Sequence, residues 1–265
     1  MSARRKAAPA AAAASGTGSP EEESGFGSRA QSLWPNPIFT RRGRAVTPHY
    51  TPRMDPAIDV AQSTLPAAAD LAAGIGAVLG GTPYSAVPSP GRESAVLVLL
   101  YDRGGAPHLV LTKRTDTLEH HPGQVSLPGG RLDAGDEDLA MTALRETHEE
   151  LGVPPESVRI VGRLPDVPTM ASGFVISPFV GVSESPLRPV PSEREIARVL
   201  EVPIVALLEA DARLPPSPDI LSLRYPLFGE DVWGATARIL RMFSRVVRDA
   251  LGRLRPGDEE PGGYR

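Results

Sequence analysis

Ala143-Leu144-Arg145-Glu146-Thr147-His148-Glu149-Glu150-Leu151-Gly152-Val153 decides how this chain is read. Alanine, leucine, arginine and glutamate are strong helix formers. Gly152 supplies a stop, and Pro154-Pro155 forbid continuation. The spacing therefore predicts a helix over roughly 138–151. Successive helical residues lie about 100° apart, so Glu146, Glu149 and Glu150 share one face within a single turn. Ala140, Leu144 and Leu151 form the expected buried face, with the acids pointing away from the core. Carboxylates so close repel one another, which a cation would relieve. Oxygen-only ligands suit Mg²⁺ or Mn²⁺. Arg145, four residues before Glu149, is placed to brace that carboxylate. A bare Glu-x-x-Glu-Glu usually means only a solvated acidic face. This one is preceded by Pro128-Gly129-Gly130, whose backbone can approach a ligand closely.

Outward from this helix the pattern is mixed. Upstream, Ser94 to Tyr101 and His108 to Lys113 read as strands joined by the Asp102-Arg103-Gly104-Gly105 turn. A glycine- and proline-punctuated loop spans about 115–135. Downstream, strands are expected at Val158–Leu164 and Val175–Val182, and helices at Glu193–Leu200, Ile204–Leu208 and Thr236–Leu251. Residues 66–80 allow a short helix weakened by Gly74 and Gly76. Pro83 to Gly91 reads as a linker. Strands and helices mixed in this way predict an α/β sandwich with helices on both faces of a mixed sheet. The domain is expected over 59–254, with a disordered tail at 1–58 and a flexible one at 255–265.

Composition narrows the chemistry. The 265 residues include no cysteine, which excludes disulfides, thiolate metal sites and a cysteine nucleophile. The formal net charge of −4 offers no global cationic field for nucleic acid. No apolar run approaches the roughly 20 residues of a membrane span. The Arg/Ala-rich start resembles an address segment, but Glu21-Glu22-Glu23 argues against one. The expectation is a cytoplasmic monomer or homodimer acting on a small molecule.

The motif resembles the signature of Nudix hydrolases: Gly, five residues, Glu, seven residues, then Arg-Glu-x-x-Glu-Glu-x-Gly. Arg145-Glu146, Glu149-Glu150 and Gly152 match in spacing. Counting back from Arg145 puts Glu137 at the early acid. Counting forward from Gly130 puts Asp136 there, so the loop carries one extra residue and either acid fits. The resemblance implies a Nudix-type α/β/α sandwich. It also implies that Glu146, Glu149 and Glu150 ligate metal, with Arg145 and Glu149 in the catalytic machinery.

A second block, Leu111 to Gly130, is similar to the accessory motif of the coenzyme A diphosphatase branch. Thr112, Arg114, Leu118, His121, Gly123, Gln124 and Val125 fall in register. Val110, Thr115, Glu119 and Leu127 depart from it, and Glu119 replaces a cation by an anion. Arg114 could pair with a phosphate. His121 and Gln124 could hydrogen-bond phosphate or pantetheine, and Gly129 and Gly130 could line the substrate; His120 reads as structural or exposed. The likeness continues through Ser172 to Gly181, Glu195 to Ile204 and Trp233 to Leu240, covering about 92–245.

The implied reaction splits coenzyme A or an acyl-CoA into adenosine 3′,5′-bisphosphate and a 4′-phosphopantetheine. Glu195, an acid at an expected loop-to-helix edge, is a candidate base or extra metal ligand, against the plainer reading of a helix-start acid favoured by the dipole. Phe228 and Trp233 are expected to pack in the core, although either could stack on adenine. A Nudix hydrolase of NADH, ADP-ribose or another nucleoside diphosphate derivative shares the chemistry; the accessory block argues against it, while Glu119 keeps it open. A non-catalytic ligand-binding domain would be marked by lost carboxylates, and none of the three is lost.

Overall fold

Ala95 to Tyr101 is apolar at almost every position, as a strand covered on both faces must be. It lies within β1 (Glu93–Arg103). Alternation along the strand sends Leu97, Leu99 and Tyr101 into one layer, and Val98 and Leu100 into the other. The computed structural model describes residues 65–80, 93–118, 121–169, 173–215 and 222–254. The expected tails at 1–58 and 255–265, the linker Pro83–Gly91, Glu119, His120 and Ser172 lie outside the described residues.

β2 (Ala106–Arg114) returns antiparallel to β1 across Gly104-Gly105, whose φ values of 59° and 80° suit glycine. The two strands pair only from Leu100↔Leu109 to Arg103↔Ala106, and then splay apart. β3 (Val125–Ser126) pairs with β2 in the resulting fork, and β4 (Gly129–Arg131) pairs with β1. The glycine pair of the loop is thus wedged beside the central strand. On the other side of β1 lies β7 (Val175–Ser183), the parallel partner. β5 (Val158–Arg163) and β6 (Val167–Pro168) run antiparallel to β7. β8 (Ile196–Pro203) pairs with β2 and completes an 8-stranded mixed sheet.

α2 (Leu139–Leu151) covers one face, seating Ala143 and Leu151 on Leu97, Leu99 and Val110. α1 (Ala68–Gly80), α3 (Ile204–Ala212) and α4 (Gly234–Leu254) cover the other. They are joined there by the hairpin β9 (Arg224–Leu227)–β10 (Glu230–Trp233). The α/β/α sandwich follows. α4 buries Ala237, Leu240, Phe243, Ser244, Val247, Ala250 and Leu251, a three-and-four spacing that gives one apolar stripe. Each fully buried leucine or phenylalanine contributes roughly 2 kcal/mol. Asp211, 4% exposed, ties this layer together. It accepts from the Tyr225 hydroxyl at 2.5 Å, Arg241 Nη1 at 2.7 Å and Arg248 Nη2 at 3.2 Å. No described helix is long and apolar enough to cross a membrane.

Three expectations are corrected. Glu193–Leu200 is not a helix: residues 196–203 form β8, paired with β2 from His108↔Pro203 to Arg114↔Ile196. The helix-forming Glu-Arg-Glu-Ile-Ala-Arg run yields to the open edge of β2 and to the β-branched Ile196, Val199 and Val202. Phe228 and Trp233 are not core residues; they are 50% and 46% exposed. Phe228 sits at the hairpin tip with φ 53°, and the Arg224 guanidinium lies 5.9 Å from the Trp233 ring centroid. The third correction concerns the acids of α2 and belongs to the site.

Candidate active site

α2 begins at Asp138, whose side chain accepts from the Met141 N–H at 2.8 Å. It ends at Gly152 in the left-handed conformation (φ 66°), with the Gly152 N–H bonded to the His148 carbonyl at 2.7 Å. Both ends are therefore fixed, and so is the angular position of each acid.

The three acids do not all face away from the core. Thr142, Ala143, Thr147, Glu150 and Leu151 are the buried positions. The small Thr142, Ala143 and Thr147 let the helix approach the sheet closely. The buried stripe is thereby centred nearer to the acids than the positions of Ala140, Leu144 and Leu151 suggest. Glu150 falls inside it at 2% exposure, Glu146 is half-buried, and the Glu149 side chain is 55% exposed. The face thus grades from solvent to interior within one turn.

Glu146 is packed against the glycine pair. A methyl group on Gly130 would lie 2.3 Å from the Glu146 carboxyl carbon. Gly129 meets backbone instead: a methyl there would fall 2.3 Å from the Ala95 carbonyl oxygen, at φ +149°. Each glycine is therefore required for a different neighbour, Gly130 for the Glu146 carboxyl and Gly129 for the backbone of β1.

Glu150 is an expensive group to bury. Burial first, then the nearby Glu146 and Glu195 charges, push its carboxyl up to about 8, against the opposing pull of Arg114 and the Gly129 N–H. Glu150 Oε1 lies 3.7 Å from Arg114 Nη1, while Glu150 Oε2 and Arg114 Nε are buried without a hydrogen-bond partner. Burial also raises the Glu146 carboxyl, and Arg145 opposes the rise. A buried carboxylate oxygen with no donor, beside two more acids, fits a hard divalent cation. Among the described residues no three His, Asp or Glu side chains converge on one point. Their oxygens rest instead on guanidinium groups.

Arg145 holds most of them. Its Nε and Nη2 bond the two oxygens of Asp136 at 2.9 and 3.1 Å, and Nη2 also reaches the Arg131 carbonyl at 3.0 Å. The same guanidinium pairs with Glu146 at 3.1 Å and Glu149 at 3.2 Å. Asp136 further accepts from Thr142 Oγ1 at 2.8 Å and the Asp133 N–H at 3.0 Å. The Arg145 bonds, chiefly, hold the Asp136 carboxyl well below the usual range. Of the two early acids, Asp136 is therefore the one tied to the helix. Counting from Gly130 points to it; the bond to Arg145 had no sequence signal.

The accessory block arrives from the sheet. A bulge in the β2–β8 register between Lys113 and Arg114 turns the Arg114 side chain toward Glu150. The Arg114 N–H donates to the Gln124 carbonyl at 2.9 Å, and the Thr115 N–H donates to the Glu195 carbonyl at 2.8 Å. These bonds place Arg114, Gln124 and the turn before β8 side by side. Glu195 stands exposed in that turn, close enough for its charge to act on Glu146 and Glu150. His121 is exposed at φ 57°, with its carbonyl accepting from the Gln124 N–H at 3.3 Å. Arg114, Glu195, Glu146, Glu149, Glu150, Gly129 and Gly130 are thus brought together, with Gln124 and His121 at the rim.

A family model described as the NUDIX domain matches residues 91–221. The Nudix hydrolase NudL of Enterobacter sp. is 40% identical over 166 residues, covering 57% of this chain and 80% of the relative. NudL of Pectobacterium atrosepticum is 34% identical over 163 residues, covering 60% and 84%. Among solved structures, the Nudix domain of Shewanella oneidensis NrtR complexed with ADP ribose matches with a TM-score of 0.41 at 18% identity. That match covers 68% of this chain and 97% of that one.

Proposed function

The chain belongs to the Nudix hydrolase family, and on that premise we propose that it hydrolyses the diphosphate bond of coenzyme A or an acyl-CoA. The products are adenosine 3′,5′-bisphosphate and (acyl-)4′-phosphopantetheine. The observation that carries the substrate reading is Arg114. The residue that aligns with the coenzyme A accessory motif reaches within 3.7 Å of Glu150, with its Nε buried and unbonded. In this reading that side chain serves both the metal ligands and a phosphate.

Glu146, Glu149 and Glu150 would hold Mg²⁺ or Mn²⁺. A divalent cation held there would screen the diphosphate charge and make attacking water more acidic. Arg145 keeps Glu146 and Glu149 in place and is itself anchored by Asp136. Glu195 accepts the proton of the attacking water. Arg114 stabilises the charge that grows on the phosphoryl oxygens. Gly129 and Gly130 let the substrate approach the main chain, while His121 and Gln124 hydrogen-bond its phosphate or pantetheine portion. We place this chemistry in the cytoplasm, on a small-molecule substrate, in a monomer or homodimer that needs neither nucleic acid nor membrane.

The test is kcat/KM for coenzyme A, acetyl-CoA, NADH and ADP-ribose, each with Mg²⁺ or Mn²⁺, with products separated chromatographically. The reading expects coenzyme A or acetyl-CoA to lead the series. A lead by NADH or ADP-ribose would replace the substrate and leave the chemistry standing.

A further inference from the structure

Two arginines on the sheet face opposite α2 are left without a carboxylate. Among the described residues, neither Arg131 nor Arg238 takes part in an ion pair. Arg238, on the first turns of α4, is half-buried and donates from Nη1 to the Pro168 carbonyl at 3.0 Å. Arg131, on β4, lays its guanidinium 4.7 Å from the Phe174 ring centroid. The residues they touch, Pro168 and Phe174, belong to two paired stretches of chain. Pro168 pairs with Val175, and Thr169 bonds the Phe174 carbonyl through its N–H at 2.8 Å and its hydroxyl at 2.9 Å. Arg131 also joins this corner to the catalytic helix, because its carbonyl accepts from Arg145 Nη2 at 3.0 Å.

A guanidinium taken half out of water with only a carbonyl for partner is poorly compensated. Burial lowers the Arg238 pKa, and no acid offsets it. Elsewhere in the molecule, arginines of comparable burial meet carboxylates, as Arg145 meets Asp136 and Arg248 meets Asp211. Arginine's planar fork suits the oxygens of a terminal phosphate.

We propose that Arg238, with Arg131 on the same face of the sheet, binds a phosphomonoester of the substrate that is distinct from the diphosphate being cleaved. This rests on the coenzyme A reading above: of that substrate's phosphates, the one outside the bridge is the 3′-phosphate of the ribose. The pair then sets preference for a 3′-phosphorylated nucleotide over its dephosphorylated counterpart. Arg238 is a specificity residue, remote from the reacting phosphorus.

The experiment compares the kcat/KM ratio for coenzyme A over 3′-dephospho-coenzyme A in the wild type, Arg238→Gln, Arg238→Lys and Arg131→Gln. The wild type is expected to favour coenzyme A by about tenfold or more, the size of one charge-assisted phosphate contact. Arg238→Gln should bring the ratio close to one, chiefly through KM, and Arg238→Lys should restore part of it. A ratio preserved in Arg238→Gln, whether or not both rates fall, overturns the proposal. Calorimetric binding of adenosine 3′,5′-bisphosphate and of AMP separates this from the substrate reading. If neither coenzyme is cleaved, tighter binding of the bisphosphate that Arg238→Gln abolishes still supports the phosphate site. Equal binding of the two nucleotides to the wild type refutes it.

Discussion

Arg145 and Asp136 form a two-point ion pair, Nε to Oδ1 at 2.9 Å and Nη2 to Oδ2 at 3.1 Å. The Asp136 side chain is 3% exposed and that of Arg145 27%. The pair fixes the guanidinium that also holds Glu146 and Glu149. Arg145→Gln leaves a buried carboxylate without its cation. The expected loss is about 2 kcal/mol of stability, discounted for the partial exposure of the arginine. Arg145→Lys keeps the charge but not the fork, so it should recover part of the stability and little activity. Urea unfolding and steady-state kinetics on the two variants check this.

The two loop glycines should separate folding from function. Gly129→Ala drives a methyl into the Ala95 carbonyl and the Val96 backbone, so it should lower the melting temperature sharply. Gly130→Ala meets only the end of the Glu146 side chain. It should leave the melting temperature within a few degrees while cutting kcat/KM by about a hundredfold, as a displaced catalytic group does. Thermal melts of both variants, read beside their activity, distinguish the two roles.

Glu150→Gln removes a buried acid, one oxygen of which has no hydrogen-bond partner. In metal-free buffer at neutral pH this should raise stability by about 1 kcal/mol, because folding no longer has to protonate a carboxyl that burial pushes up to about 8. In Mg²⁺ the order should reverse, since only the wild type gains from the cation. Activity should disappear. Melting curves with EDTA and with Mg²⁺ read both signs.

Tyr225 contributes to the alkaline limit, as does Tyr101, whose phenol burial pushes up to about 12. Burial first, and then the bond to Asp211, raise the Tyr225 phenol's pKa above the ordinary value of 10.0. The folded chain therefore holds this proton after the unfolded chain has lost it, and stability falls as pH rises above about 10. Tyr225→Phe should flatten that slope. It should cost about 1 kcal/mol at neutral pH, where Asp211 loses one donor and keeps Arg241 and Arg248. Urea midpoints between pH 7 and 11 test it.

Much of this was legible in the chain because local signals agreed with the fold. The apolar run through β1, the Gly104-Gly105 turn, the helix stop at Gly152 and the α4 periodicity each read one way. Two failures have physical causes. β8 carries helix-forming residues, and only the unpaired edge of β2 makes it a strand. Glu150 reads as an exposed acid because helix angles alone cannot show how closely small Thr142, Ala143 and Thr147 let α2 approach the sheet. The acids and Arg114 were identifiable by spacing, whereas the Asp136–Arg145 pair and the Arg131–Arg238 corner join residues that no local pattern links.

The proposed hydrolysis is tested most directly by phosphorus NMR of coenzyme A incubated with the purified chain and Mg²⁺. It predicts that the diphosphate resonances give way to phosphomonoester signals of adenosine 3′,5′-bisphosphate and 4′-phosphopantetheine, and that EDTA or Glu150→Gln stops the change. Diphosphate resonances that persist with the wild type, or that vanish equally with EDTA, would contradict it.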